Sequence, residues 1–253
     1  MSTSHYSLKN NKYIIFSIII ILLTWQFISM YISNDLLFPS VIDVIKGTIV
    51  LVTEKKFTII IFYSVIRAIK SFFISIILSL ILAILSYFNK IVYNFILPIL
   101  STIKAVPTMA FIVLLLIWTS KDYAPIIIGI MISLPIFYDV ILNTIMNLDK
   151  NLLQMCDVYK ITTKDKIKEI IIPIIIIELS KVISSTFSLI FKVVISGEVY
   201  SQPKYGIGAI IQLEKIQLNT ANIISWIIII TIISYIIDLI FKAIYKRYIH
   251  KGR

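Results

Sequence analysis

The residues of this sequence most capable of specific chemistry are charges embedded in long apolar runs. They are Arg67, Lys70, Lys104, Asp139, Glu178, Lys181, Lys192 and Asp238. A charge at membrane depth is expensive, so it marks a functional site by default. Two interpretations stand side by side. Either Arg67, Lys104 and Lys192 line a solute pathway or gate, where their sign would favour an anion, or the charges form ion pairs and extend to the membrane surface. Glu178 and Lys181 are three residues apart on one helical face, which favours pairing.

The sequence offers few groups for catalysis or metal binding. Its two histidines, His5 and His250, lie in the polar tails, and Cys156 is the single cysteine, which argues against a histidine-built site and excludes an internal disulfide. Neither Asp139 nor Asp238 belongs to a recognisable catalytic motif. The phosphate-binding pattern G-x-x-x-x-G-K-[ST] does not occur. We therefore predict that the protein is not an enzyme, binds no cofactor or metal, and takes its energy from another chain or an ion gradient.

The composition is that of a polytopic membrane protein. Of the 253 residues, 59% are hydrophobic and 15% are charged, whereas soluble domains contain about 45–50% apolar residues. A helix needs roughly 20 apolar residues to cross the hydrocarbon. Six stretches meet that requirement, at about 13–33, 58–87, 93–119, 124–147, 173–196 and 222–244. We predict one all-α domain over residues 1–253, with six transmembrane helices and a cytoplasmic loop at 148–172.

Basic residues indicate the orientation in the membrane. Lysine and arginine number 24 against 13 acidic residues, and in a membrane protein such an excess marks cytoplasmic loops rather than nucleic-acid binding. The tail up to Lys12, Lys90, the 148–172 loop with its five lysines, and the tail from Lys242 all fall on one side of a six-span arrangement. We predict a multi-pass protein of the cell membrane, surrounded by lipid, with both termini in the cytoplasm and no nucleic-acid partner.

The second predicted span carries a stripe of small residues. Ser71, Ser75, Ser79 and Ala83 recur every four residues, which places them on one helical face. Small residues let another backbone approach closely, so we predict that this span packs centrally in the bundle. The alternative is that the serines bond back to their own helix and tolerate lipid.

Glycines concentrate in one segment near the end of the fifth predicted span. Gly197, Gly206 and Gly208 lie there beside Glu198 and account for three of the six glycines. Glycine permits backbone turns that a branched side chain would forbid. We predict that these four residues shape an outer loop.

A charged stretch at residues 152–173, LLQMCDVYKITTKDKIKEIIIP, separates two apolar runs. Lys160 begins an interruption of the helical pattern, and Thr162 followed three residues later by Asp165 is an imperfect capping box. We predict a helix, a turn and a second helix on the cytoplasmic surface, with an apolar patch exposed at the bend. A short helix with a few apolar anchors inside a polar rim is a common mode of partner recognition.

This stretch resembles the cytoplasmic loop of permeases from ABC-type importers, whose pattern is E-A-A, three residues, G, nine residues and I-x-L-P. Gln154, Met155 and Cys156 stand at the E-A-A places, Lys160 at the glycine place, and Ile170, Ile172 and Pro173 at the I, L and P places. The spacing agrees throughout, whereas most identities differ. The family glycine supplies a sharp turn, and a left-handed backbone at Lys160 instead would cost about 1–2 kcal/mol.

Further pieces resemble the aliphatic-sulfonate, taurine and nitrate branch of these permeases, in order along residues 34–247. LFPSVIDVIKG (37–47) is similar to the outer P-S-P-x-x-V element. SVIRAIKSFFISIILSLILAIL (64–85) is similar to the S-L-x-R opening of the second span. IKAVPTMAFIVLLLIW (103–118) resembles the x-P-x-x-A segment with its trailing tryptophan, and SGEVYSQPKYGIGAII (196–211) resembles the A-E segment ending in G-L-G.

The resemblance implies a type I ABC importer permease fold and a homodimer. Two cytoplasmic ATPases, which use the ATP, would dock on the 152–172 loops, and an extracytoplasmic binding protein would deliver the solute to the outer mouth. The implied ATPase-coupling residues are Gln154, Met155, Cys156, Tyr159, Lys160 and Ile161. The implied solute is a small anion such as a sulfonate, taurine or nitrate. A pyrimidine precursor of thiamine or another small solute stays open. An ion-gradient transporter is the rival class, although the sequence shows neither the internal repeats nor the broken helices typical of it.

Overall fold

The computed structural model describes residues 11–251 and, within them, the side chains of residues 13–149, 151, 154–156, 158–162 and 165–243. The predictions made from His5 and from the side chains of Lys12 and His250 lie outside the described residues. The described part is helical and contains no strand, which confirms the all-α prediction. Its α-helices are α1 (Asn11–Ile32), α2 (Val41–Thr53), α3 (Phe57–Phe88), α4 (Lys90–Ala105), α5 (Thr108–Trp118), α6 (Ala124–Met146), α7 (Lys150–Val158), α8 (Thr163–Lys166), α9 (Ile172–Ser201), α10 (Ile207–Ile216) and α11 (Thr220–Lys251). A π-helical turn (Ile167–Ile171) runs directly into α9.

Five segments of the described part are long and apolar enough to cross a membrane. They are Tyr13–Ile32, Phe57–Phe88, Ala124–Met146, Ile167–Ser201 and Thr220–Ala243. Four of the predicted spans agree with these helices to within two residues at each end. The fifth observed segment, Ile167–Ser201, extends beyond the predicted span 173–196 at both ends. Most large apolar side chains of α1 are exposed, as expected for a helix that faces lipid.

The remaining predicted span, 93–119, is not one helix. It is divided into α4 and α5, which meet at an angle of 106°, and a sixth span exists only if this bent pair is counted as one. The break falls at Val106 and Pro107, where Val106 has an extended backbone (φ −75°, ψ 132°). A proline lacks the N–H that a helix needs and disfavours helical geometry in the residue before it. The prediction of an uninterrupted helix is therefore wrong for a local chemical reason.

The chain divides into two compact units, Met1–Phe57 with Leu213–Ile229, and Thr58–Gln212 with Ile230–Arg253. The prediction of one domain over residues 1–253 stays a prediction. In the first unit, Phe57 stacks on Trp226 with ring centroids 5.9 Å apart. The Ser225 hydroxyl donates to the Val44 carbonyl oxygen at 2.9 Å. These interactions join α2 and the start of α3 to the first turns of α11.

Within the described residues of the second unit, α6 and α9 form an extensive helix pair. The α3 helix is joined to α9 by Arg67 and to α6 by Ser71. The small stripe of α3 faces α6. All four of its members are buried, and the Ser71 and Ser79 hydroxyls donate to the Ile126 and Leu134 carbonyl oxygens of α6 at 2.9 and 2.8 Å. Gly129 leaves room for this approach, because a Cβ atom there would lie 2.6 Å from the Ser71 Oγ. The prediction that the second span packs centrally through small residues is confirmed.

Helix ends in this glycine-poor chain use residues other than glycine. Ser33, Lys160, Gln202 and Leu218 have positive φ values of 48–57°, and no described glycine has a positive φ. Each of the four comes directly after a helix or its last turn. The left-handed conformation stops a helix and lets the following N–H groups reach the last carbonyl oxygens. Gly197, Gly206 and Gly208 therefore do not provide positive-φ turns, and the prediction that they shape an outer loop together with Glu198 stays a prediction.

Candidate functional site

A buried ion pair joins α3 to α9 in the second unit. The Arg67 Nη1 atom lies 2.9 Å from the Glu198 Oε1 atom, and the Glu198 side chain is fully buried. Both residues belong to helices that could span a membrane. A buried charge without a partner is strongly unfavourable, so each residue depends on the other. Sequence reasoning singled out Arg67 as a pathway residue and Glu198 as a loop residue, and the structure brings them together inside the protein.

The other carboxylate oxygen of Glu198 is bound by neutral donors. The Ser64 hydroxyl donates to Oε2 at 2.7 Å, and the Gly208 N–H donates to the same atom at 3.0 Å. The Ser64 oxygen in turn accepts from the Ile207 N–H at 2.9 Å. The carboxylate therefore accepts three hydrogen bonds in all, including the one from Arg67. Together with the Ile207 bond, they tie the start of α10 to α3 and α9.

The glycines around Glu198 serve close packing rather than turns. Gly197 and Glu198 lie inside α9, and Gly208 lies in the first turn of α10. A Cβ atom on Gly208 would lie 2.6 Å from the Val199 backbone nitrogen, and one on Gly206 would lie 2.8 Å from the Glu198 carboxylate. The segment from 197 to 208 is therefore shaped by close approach to the buried carboxylate.

The second edge of the Arg67 guanidinium reaches the surface. Nη2 pairs with the Asp122 Oδ1 at 2.8 Å, and the Asp122 side chain is 64% exposed. Nη1 also donates to the Tyr205 carbonyl oxygen at 2.7 Å. Arg67 thus contacts the segment before α6 and the segment between α9 and α10 at once. Ser64, Asp122 and Tyr205 were not predicted, since each is 55 or more residues from its partner and carries no motif of its own.

A cavity of about 360 Å³ opens beside this guanidinium. We call it the Arg67 pocket, and its lining includes Tyr63, Arg67, Lys70, Asp122, Lys204 and Tyr205. The Tyr63 and Tyr205 rings stack at 5.3 Å, and the Lys204 ammonium lies 5.4 Å from the Tyr205 ring centroid. Lys70 and Lys204 are exposed. The pocket therefore combines aromatic walls with cationic groups.

The other charges of the apolar runs form pairs in most cases. Lys104 pairs with Asp139 at 2.5 Å, Lys181 with Glu178 at 2.5 Å and Lys242 with Asp238 at 2.5 Å. The Glu178 and Lys181 pairing predicted from spacing is confirmed. The Lys192 side chain is exposed on α9, and the backbone oxygen of this residue accepts from the Ser196 hydroxyl. Neither Lys104 nor Lys192 lines the Arg67 pocket, so the structure does not bring the three predicted pathway cations together.

The stretch between the fourth and fifth predicted spans has the expected helix, turn and helix. The α7 helix ends at Val158, and Lys160 then adopts a φ of 51°. The Ile161 N–H donates back to the Cys156 carbonyl oxygen at 2.9 Å, which is the long closing bond of a Schellman motif. Lys160 therefore adopts the left-handed turn that the family pattern assigns to glycine at this position.

The second helix of this stretch begins with a capping interaction. The Asp165 N–H donates to the Thr162 hydroxyl oxygen at 3.2 Å, and that hydroxyl donates to the Asp165 carboxylate at 2.6 Å. The cap predicted from these two residues is confirmed. A π-helical turn then leads into α9, with the Ile172 N–H donating to the Ile167 carbonyl oxygen. The stretch is thus connected to α9 by continuous helical backbone.

Apolar side chains at the end of α7 point away from the protein. Met155 is 54% exposed, Val158 is 79% exposed and Tyr159 is 73% exposed. Gln154, Lys160 and part of Ile161 are also accessible. The Cys156 side chain is fully buried, so it does not belong to the exposed surface although it was predicted as a contact residue. We call Met155, Val158 and Tyr159 the α7 surface.

The helical architecture and the long apolar segments define a polytopic α-helical membrane protein. The chain belongs to the family of binding-protein-dependent transport system inner membrane components, which matches residues 75–251 and thus more than half of its length. It is accordingly an inner-membrane permease subunit of an ABC importer. A comparison with curated proteins found no match.

The family membership decides between the rival classes of transporter. The bend of 106° between α4 and α5 is a broken helix of the kind whose absence had argued against an ion-gradient transporter. The expectation of unbroken helices is therefore wrong at this position, whereas the lack of internal repeats in the sequence still argues against an ion-gradient transporter. The match over residues 75–251, which includes both the α7 surface and Glu198, supports the importer class independently of that argument.

Proposed function

We propose that this permease couples solute passage to a separate cytoplasmic ATPase, which docks on the α7 surface. The observation that carries this proposal is the exposure of Met155, Val158 and Tyr159 on a segment outside the apolar spans. Exposed apolar side chains on a spanning helix can face lipid. The side chains of the α7 surface lie outside the spans, so without a partner they would face water. A cluster of this kind at a helix end fits into an apolar groove of a partner.

The turn at Lys160 supports a docking role because it presents the α7 surface in a defined shape. The Schellman closure and the Thr162 cap hold the two helices of the stretch on either side of the turn. A partner that binds preorganised side chains avoids the cost of ordering them. We propose that Gln154, Lys160 and Ile161 form the edge of the same contact, while Cys156 holds α7 against the protein from inside.

The assembly that we propose is a homodimer of this chain with two ATPases and an extracytoplasmic binding protein. Both termini would lie in the cytoplasm, on the side of the α7 surface. The family membership supports a binding-protein partner, and the basic residues of the 148–172 loop support the orientation. ATP would be bound by the ATPase and not by this chain.

For the solute we propose a small anion of the sulfonate, taurine or nitrate class. The Arg67 pocket supports this class because three of its lining residues, Arg67, Lys70 and Lys204, are cationic. A thiamine pyrimidine precursor or another small solute is the alternative. The buried pair with Glu198 fixes Arg67 in the pathway wall, and its other edge, which pairs with the exposed Asp122, faces the pocket. We propose Lys104 and Lys192 as lesser candidates for solute contact.

The docking proposal is tested by placing a charge on the α7 surface. We expect Tyr159→Asp and Met155→Asp to weaken ATPase binding by about 30-fold or more, since a hot-spot side chain contributes at least about 2 kcal/mol. Membrane insertion should be unchanged because both side chains are exposed. Tyr159→Phe is the matched control, since it keeps the ring and introduces no charge.

The measurement is co-purification of the tagged protein from its native membranes, followed by solute uptake into vesicles. Wild type and Tyr159→Phe should retain a P-loop ATPase in equal amount, and the aspartate variants should lose both the ATPase and uptake. Normal uptake by Tyr159→Asp would refute the docking surface. Recovery of the chain without an ATPase, under conditions that preserve other importers, would refute the coupling proposal as a whole.

A further inference from the structure

We propose that the Arg67 pocket is a binding site for a small anionic group, such as a sulfonate, sulfate, carboxylate or phosphate. The proposal rests on the juxtaposition of three cationic side chains, one exposed carboxylate and stacked aromatic rings around a single cavity of about 360 Å³. The proposal rests on the proposed function, which names a class of solute, and adds the place in the structure where a solute of that class binds.

The charge balance of the pocket favours an anion. Arg67, Lys70 and Lys204 contribute three positive charges, and Asp122 and the buried Glu198 contribute two negative ones, which leaves one positive charge in excess. Among the described residues, Lys70 has neither a hydrogen bond nor an ion pair through its ammonium group. The Lys204 ammonium group lies over the face of the Tyr205 ring, and it forms no ion pair with a carboxylate among the residues that the structure describes. Both ammonium groups are therefore available to a ligand.

Asp122 shows where a ligand's oxygen atom would sit. Its Oδ1 atom already lies 2.8 Å from Arg67 Nη2, whereas Nη1 is committed to Glu198 and to the Tyr205 carbonyl oxygen. The Asp122 side chain is exposed, and an ion pair of this kind is weak because water competes for both partners. An incoming anion can replace this carboxylate at Nη2 without disturbing the buried pair. Asp122 would thus compete with the ligand for one edge of the guanidinium.

The position of the pocket admits two sources for the anion. It lies where α6 begins, at Tyr123 and Ile126, and so at the end of an apolar span. The end of a membrane span is accessible both to a dissolved solute and to the phosphate group of a lipid. The two sources share the chemistry of an oxyanion bound by Arg67, Lys70 and Lys204.

The test measures binding to the purified permease without its ATPase, so its result does not depend on the docking proposal. Sulfate is titrated into the detergent-solubilised protein at constant ionic strength by calorimetry. Phosphatidylglycerol is titrated in parallel by native mass spectrometry, with phosphatidylcholine as the neutral lipid. We expect Lys70→Gln and Lys204→Gln each to weaken binding of the anion about fivefold. We expect Asp122→Asn to tighten it by a few fold, because the charged competitor is removed.

Lys121→Gln is the matched control. Lys121 is an exposed lysine next to Asp122 that does not line the pocket, so its loss should leave binding unchanged. Sulfate binding with this pattern supports the pocket with a dissolved anion as its ligand. Binding of phosphatidylglycerol alone, with the same pattern, supports the pocket with a lipid phosphate as its ligand. Absence of both, equal effects of Lys121→Gln and Lys70→Gln, or weaker binding to Asp122→Asn would overturn the proposal.

Discussion

Replacing Glu198 by glutamine should destabilise the protein much more than replacing Asp122 by asparagine, although both carboxylates pair with Arg67. The two pairs have nearly equal lengths, 2.9 Å to Glu198 and 2.8 Å to Asp122. They differ in environment, since the Glu198 side chain is fully buried and that of Asp122 is 64% exposed. The comparison therefore isolates the effect of burial on an ion pair that shares one cation.

The cost of Glu198→Gln follows from its three hydrogen bonds. A glutamine can keep its oxygen toward Arg67, but its NH₂ group then faces the Gly208 N–H, which now donates to Oε2 at 3.0 Å. A buried N–H without an acceptor costs about 1–3 kcal/mol, and removal of one partner from a buried ion pair costs about 3–5 kcal/mol. Because glutamine keeps the volume and one acceptor, we expect a loss of about 3 kcal/mol. For Asp122→Asn we expect at most about 1 kcal/mol.

The assay is reversible unfolding of the purified protein in mixed micelles of increasing denaturing detergent, followed by tryptophan fluorescence. A third variant combines Arg67→Met with Glu198→Gln. Its loss of unfolding free energy should be smaller than the sum of the losses of Arg67→Met alone and Glu198→Gln alone, because the double change leaves no unpaired buried cation. Equal losses for Glu198→Gln and Asp122→Asn would refute the reasoning from burial. A loss below about 1 kcal/mol for Glu198→Gln would show that the pair is hydrated.

Two further changes test local geometry by the same unfolding measurement. Lys160→Gly should stabilise the protein by about 0.5–1 kcal/mol, since relief of about 1–2 kcal/mol at positive φ outweighs the entropy that glycine loses on folding, whereas Lys160→Val should destabilise it. A stabilising Lys160→Val would contradict the left-handed turn. Gly208→Ala should destabilise by about 1–3 kcal/mol, because its Cβ atom would meet the backbone of Ile195 and Val199, and an unchanged stability would contradict the close approach of α10 to α9.

Features of local origin could be predicted from the sequence. The serine stripe of α3, the Thr162 cap and the Glu178 pairing each depend on residues no more than four positions apart in a helix or turn. At such spacing, helical geometry alone decides which side chains meet. The left-handed turn at Lys160 could be considered from the sequence only because a known family has glycine at that position. Lysine itself does not favour positive φ, so its presence does not indicate such a turn.

Features that depend on distant parts of the chain could not be predicted. Nothing near Arg67 indicates that its partner lies 131 residues away at Glu198, because an ion pair leaves no periodic pattern in the sequence. Proline was equally ambiguous. Pro98 and Pro135 lie inside continuous helices, whereas Pro107 is part of the break between α4 and α5. The surrounding packing decides which proline a helix tolerates, and that packing involves other spans.

The α9 helix links the two sites that the structure distinguishes. It follows the π-helical turn after the α7 surface, and it carries Glu198 in its last turn. At about 1.5 Å per residue, its 30 residues extend roughly 45 Å. Because a continuous helix resists bending, we expect a movement of its first turn to be transmitted along the axis to the buried pair with Arg67. Coupling of this kind requires a rigid element that both sites bias. The buried ion pair of Glu198 with Arg67 lies at the far end of the helix that leads away from the α7 surface, so it gives that end of α9 a fixed partner.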